Sequence, residues 1–219
     1  MTEGRLDYKK EYKDLYLPKA KPCTVDVPAI SFIMVDGKGN PNDEGGEYQQ
    51  AIELLYALTY TIKMSKMGGS KPKDYFEYIV PPLEGLWWLD DDSHSDFSSK
   101  ARFCWISMIR QPEFVTQDVF EWACKEAVKK KPQLDPLKAR LQVYHEGLCV
   151  QMMHIGPFDE EPKTIAQIDE FIKENHYNDA ISEVQSDGMI KRHHEIYLSD
   201  PRKTEPSKRK TVLRHPVKR

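Results

Sequence analysis

The chain has no long apolar run, and that absence is the first constraint on what it is. Nothing in its 219 residues approaches the roughly 18 consecutive apolar positions of a membrane-spanning helix. The opening stretch from Met1 to Lys13 is charged and lacks the apolar core of a secretory signal, so a cytoplasmic location is expected. Cysteine is sparse. Cys23, Cys104, Cys124 and Cys149 stand far apart, with neither a CxxC pair nor Cys/His metal spacing, and they read as reduced thiols. No metal, haem or other cofactor is expected. A strong positive balance is also missing: the net charge is −3, which argues against a general nucleic-acid binder. What is present, 39% hydrophobic and 31% charged residues, fits a globular domain with a sizeable core.

Periodicity then supplies the elements. Ala29 to Val35 is a β-branched apolar run, stopped by the turn residues Asp36-Gly37-Lys38-Gly39-Asn40-Pro41. Tyr48, Ala51, Ile52, Leu55, Leu58 and Ile62 recur at helical spacing until Gly68-Gly69. Tyr75 to Val80 and Leu83 to Leu89 read as extended segments parted by Pro81-Pro82, and Asp90-Asp91-Asp92-Ser93 as a solvated acidic loop without calcium-ligand spacing. Ala101 to Ile109 is the next strand. Thr116 is placed to cap a helix carrying Val119, Phe120 and Ala123, and Asp135-Pro136 opens a short one. Leu141 to His145 and Leu148 to Ile155 suggest a hairpin about Gly147, followed by a helix from Pro162. The basic C-terminal stretch holds Thr211-Val212-Leu213, expected to be a strand whose lysines and arginines mark a solvated edge.

The order strand, helix, strand, strand occurs twice, with a helical connector. It predicts an α+β fold of two βαββ repeats, with curved antiparallel sheet, helices on one face and a central ligand cleft. One domain over 1–219 is expected, its halves at about residues 24–110 and 140–217 and its connector at about 114–140.

Within that order Glu195 stands out. In His193-His194-Glu195-Ile196-Tyr197-Leu198, strand alternation sends Glu195 and Tyr197 to the face opposite Ile196 and Leu198. A carboxylate there either looks at solvent or meets hydrogen bonds, a cation or a reacting water in a pocket. The adjacent His193 and His194 point to opposite faces, so they do not share a metal. Trp87 and Trp88 likewise face opposite ways. Parity puts Trp88 on Glu84's face unless a bulge at Gly85 reverses it.

Four ordered segments carry a family resemblance. Val35-Asp36-Gly37-Lys38-Gly39-Asn40-Pro41, Pro82-Leu83-Glu84-Gly85-Leu86-Trp87-Trp88, His154-Ile155-Gly156-Pro157-Phe158 and His193 through Arg202 together resemble the GyrI-like small-molecule-binding family. The resemblance implies the SOUL or gyrase-inhibitor-like fold, with a cleft for aromatic or cationic small molecules. It is strongest for stand-alone members, a branch of which hydrolyses cyclopropane-bearing DNA-alkylating natural products and so gives detoxification and drug resistance. On that reading Glu195 is the catalytic base, Glu84 a second carboxylate and Tyr197 or Tyr78 an oxyanion donor. Trp87, Trp88, Tyr75, Tyr78, Phe103, Trp105, His154 and Phe158 are the candidate ligand contacts, although each aromatic residue has an ordinary core role as its alternative. The competing function is a non-catalytic module that sequesters drugs or modulates a partner such as DNA gyrase, with Glu195 as counter-ion. Neither a membrane nor direct nucleic-acid contact is expected.

Overall fold

Thr116 caps a helix, as its place ahead of Val119 and Phe120 predicts. In the computed structural model, which describes residues 4–90 and 100–219, the Thr116 hydroxyl accepts the Val119 N–H at 3.4 Å. Lys129 and Lys130 occupy that helix's last turn, where its dipole favours positive charge. The elements run α1 (Tyr8–Glu11), α2 (Lys13–Tyr16), β1 (Cys23–Lys38), α3 (Glu47–Met64), β2 (Leu83–Leu89), β3 (Phe103–Arg110) and α4 (Gln117–Lys130). They continue with β4 (Ala139–Ile155), α5 (Glu161–Glu174), β5 (Asn178–Asp179), β6 (His193–Tyr197) and β7 (Lys210–Lys218). The result is a mixed α+β fold whose strand pairings are antiparallel. Among the described residues no helix is long and apolar enough to cross a membrane. Most of the acidic loop expected after Leu89, from residue 91 on, lies outside the described residues.

The chain divides into two compact units of interleaved segments: residues 1–8, 30–81 and 88–143, and residues 9–29, 82–87 and 144–219. In the first, β1 pairs with β3 from Phe32 opposite Arg110 to Lys38 opposite Cys104. The stripe Ala51, Leu54, Leu55, Leu58 and Ile62 of α3 is buried, and α3 packs on β3 and α4. Tyr75 to Val80 forms no strand. It holds a single parallel bridge, Tyr78 with Leu6, because prolines on its C-terminal side interrupt further pairing.

In the second unit the strand order is β2, β6, β7, β4, with β5 meeting the end of β7. Helix α5, opened by Pro162 in its first turn, packs on β7, and Ile168 and Ile172 join Val150, Met152, Leu213 and Val217 in one core.

Two expectations fail here, each for a physical reason. Gly147 makes no hairpin: β4 is continuous through it, and its φ of 76° lies mid-strand. There it shifts the alternation, so that Glu146 before it and Gln151 after it both reach Arg214. Strand β7 is not a solvated edge. It is paired on both sides, by β6 and β4, and Arg214 at its centre is only 2% exposed, because it meets a buried carboxylate.

Candidate functional site

The site is built on β2 and β6. Their register is unbroken from Leu83 opposite Tyr197 to Trp87 opposite His193, so Gly85 is not a bulge and alternation holds. One face carries Gly85, Trp87, His193, Glu195 and Tyr197. The other carries Glu84, Leu86, His194 and Ile196. The exposures along β6 alternate accordingly, with His194 and Ile196 buried and the other three half-buried.

On the first face, the Trp87 indole N–H donates to the Tyr197 hydroxyl at 2.8 Å. The Phe158 ring meets Tyr197 edge-on at 5.9 Å between centroids. Phe158 is held there by the turn before it. The buried His154 ring bonds Thr164 Oγ1 at 2.9 Å and the Pro157 carbonyl at 3.1 Å, so His154 acts on this face by fixing the turn that presents Phe158. Gly85 lies opposite Glu195, and its missing side chain makes the arrangement possible. A Cβ there would stand 2.6 Å from Trp87 Nε1 and 3.3 Å from the Tyr197 oxygen. Gly85→Ala is therefore expected to push the indole off Tyr197 and weaken binding of a flat aromatic ligand roughly threefold to tenfold. Calorimetric titration checks this, and an unchanged affinity would mean the indole's seat over Gly85 is immaterial.

Glu195 sits beside this aromatic set with its side chain 14% exposed. His193 Nε2 lies 3.2 Å from its Oε1. A second carboxyl, Glu161 on α5, feels its charge. Burial, and then the charge of Glu195 and of Asp159, push the Glu161 carboxyl well above the usual carboxylate range. Raised in this way, the Glu161 carboxyl favours its protonated form, and the Thr211 hydroxyl is its hydrogen-bond partner.

The opposite face holds a different centre. His194 Nδ1 lies 3.0 Å from Glu146 Oε2 and its Nε2 lies 3.0 Å from Glu84 Oε2. Arg214 donates to Glu146 at 3.1 Å, to Gln151 at 2.9 Å and to the Leu15 carbonyl at 2.8 Å. The Tyr16 hydroxyl donates to Glu84 at 3.3 Å. The four charged side chains are at most 2% exposed. Both ring nitrogens of His194 face carboxylates, so the ring is an imidazolium. Burial by itself would lower its pKa, but Glu146 and Glu84 outweigh burial and raise it to about 9. Burial would raise Glu146, yet His194 and Arg214 hold it down to about 2. Two positive and two negative groups leave the cluster neutral, the condition under which buried charge is tolerated. Glu84 is thus committed to this inner cluster, on the face away from Glu195.

The remaining sequence candidates belong to the first unit. Trp105 is fully buried, edge-on to Tyr48 at 5.1 Å. Tyr78 is also fully buried, ringed by Tyr75, Phe76 and Phe114. The Tyr75 hydroxyl donates to the Lys63 carbonyl at 2.9 Å. Trp88 and Phe103 are half-buried. The structure therefore brings Glu195, Tyr197, Trp87 and Phe158 together, with His154 behind them. Sequence reasoning passed over Glu161, Glu146 and Arg214. Their only signal was a charged residue inside an apolar strand or first helical turn, which names no partner.

Comparison with known proteins adds the family context. The profile of the GyrI-like small molecule binding domain matches residues 21–218. No curated protein matches the chain. Among solved structures, an uncharacterized conserved protein from Listeria innocua is 48% identical, covers 97% of this chain and 100% of its own, and superposes with a TM-score of 0.88. A hydrolase from the same organism is 47% identical, with the same coverage and a TM-score of 0.85. The C-terminal domain of EcmrR, at 11% identity and a TM-score of 0.51 over 91% of this chain and 98% of its own, shares the fold alone.

Proposed function

This chain belongs to the GyrI-like small molecule binding domain family, and from that premise we propose that it is a hydrolase that opens cyclopropyl rings of aromatic, DNA-alkylating natural products by adding water, and so detoxifies them. The observation that carries this reading is the shared strand face on which Glu195 stands beside Trp87, Tyr197 and Phe158. A hydrolase at 47% identity over nearly the whole chain supports the reaction class.

The residues suit the steps. An aromatic ligand stacks against the ring set, which brings its cyclopropane beside Glu195. The Glu195 carboxylate takes a proton from water. The resulting hydroxide oxygen forms a bond to a ring carbon, the strained C–C bond breaks, and its electron pair moves into the conjugated carbonyl as an oxyanion. Tyr197 donates a hydrogen bond to that oxygen. Because its own oxygen accepts the Trp87 N–H, its O–H is the stronger donor. The oxyanion then takes the proton from Glu195, which restores the base. The net change is one water added.

Incubation of the protein with a cyclopropane-bearing aromatic alkylator, followed by mass spectrometry, tests the reading. A product heavier by one water is expected. Tight binding with unchanged mass would reject hydrolysis and leave a sequestering module.

A further inference from the structure

Glu195 is the inner end of a chain of close polar contacts that reaches solvent. His193 Nε2 lies 3.2 Å from Glu195 Oε1, His193 Nδ1 lies 2.8 Å from His215 Nε2, and His215 Nδ1 lies 3.4 Å from Asp169 Oδ1. His215 is buried, whereas the Asp169 side chain on α5 is 61% exposed. We propose that this chain is the route by which Glu195 exchanges its proton with water, with His193 and His215 as positioning residues whose ring protons move together. The inference rests on Glu195 being the base.

The donor inventory dictates two states. An ionised Glu195 only accepts, so a neutral His193 must carry its proton on Nε2. Its Nδ1 then accepts from His215 Nε2–H, and His215 Nδ1 turns a lone pair toward Asp169. A protonated Glu195 instead donates its O–H to His193 Nε2. His193 Nδ1–H donates to His215 Nε2, and His215 Nδ1–H donates to the Asp169 carboxylate. The second state holds one proton more. A proton from water reaches Glu195 by adding to His215 Nδ1 beside Asp169 while each ring proton crosses its own hydrogen bond, the last landing on Glu195. Release is the reverse, and nothing but that proton is gained or lost.

The surrounding groups keep the His215 ring neutral enough for this. Burial lowers the His215 pKa, and His193 adds to the effect against the opposing pull of Asp169 and of Asp179 on β5. On the α5 side, burial and then the charge of Glu195 favour the protonated form of Glu161. Asp159 contributes its charge to Glu161 from the turn ahead of α5.

The test is nitrogen-15 NMR of the full chain with labelled histidine, read across pH without ligand. Both rings are expected in the Nε2–H form at neutral pH and to switch together to Nδ1–H, with one shared midpoint, on acidification. In Asp169→Asn the amide N–H donates to His215 Nδ1 and holds both rings in the Nε2–H form. The shared midpoint, and the acid limb of kcat/KM with it, is expected to fall by about one pH unit. Separate midpoints for the two rings, or a change in Asp169→Asn confined to His215, would overturn the proposal. Absence of turnover in the unaltered protein would instead count against Glu195 as base, while the ring tautomers of the ligand-free protein still decide whether the chain is coupled.

Discussion

Glu195→Gln is expected to lower ring-opening turnover by about 10² to 10⁴-fold, the usual contribution of a positioned general base, while ligand affinity changes little. Glutamine keeps the shape of the side chain, and its amide oxygen still accepts from His193 Nε2, so the face shared with Trp87 and Tyr197 is preserved. What it loses is the lone-pair basicity that removes a proton from water. Single-turnover kinetics with the cyclopropane-bearing alkylator, set beside equilibrium titration of the same variant, separate the two effects. If turnover persists, the base is not Glu195. If affinity collapses along with turnover, Glu195 is an anionic anchor for a cationic ligand instead.

The second large effect is expected on stability. Glu146→Gln removes one of two carboxylates from the neutral cluster of Glu84, Glu146, His194 and Arg214, and leaves a buried net positive charge. Breaking such an arrangement by deleting one partner costs about 3–5 kcal/mol, a fall in Tm of roughly 10 °C for a chain of this size. The dependence on pH identifies the cause. Glu146 is depressed in the folded state from 4.5 to about 2, so its contribution is present above 4.5 and lost as pH falls toward 2. His194 is raised from 6.5 to about 9, so its contribution is full below 6.5 and lost as pH rises through 9. Denaturant titrations should therefore show the largest gap between the native chain and Glu146→Gln between those limits, narrowing at both extremes. A gap that is constant with pH would mean that packing, not charge, sets the loss.

The two faces of β6 show what was legible beforehand. Period-two alternation across His193 to Tyr197 is a property of the backbone, so the separation of Glu195 and Tyr197 from His194 and Ile196 could be read directly from the order of residues. So could the Thr116 cap and the first-turn proline of α5, because each acts within a few residues of itself. Local rules misled at Gly147 and at β7. A glycine with positive φ serves a turn or a bulge equally well, and only the continuity of β4 from Ala139 to Ile155 distinguishes them. The arginine of β7 resembled an edge charge because its partner, Glu146, is 68 residues away.

By itself, then, the sequence determined the α+β class, the family through its four ordered segments, and the aromatic and acidic composition of the β2 and β6 strands. Tertiary structure alone decided which carboxylate belongs to which face. It committed Glu84 to His194 and Tyr16 inside the second unit, and it set the His193–His215–Asp169 chain beside Glu195. The physical reason is that a buried charge is defined by its partner. Strand register and helix packing choose that partner over separations for which no local pattern exists.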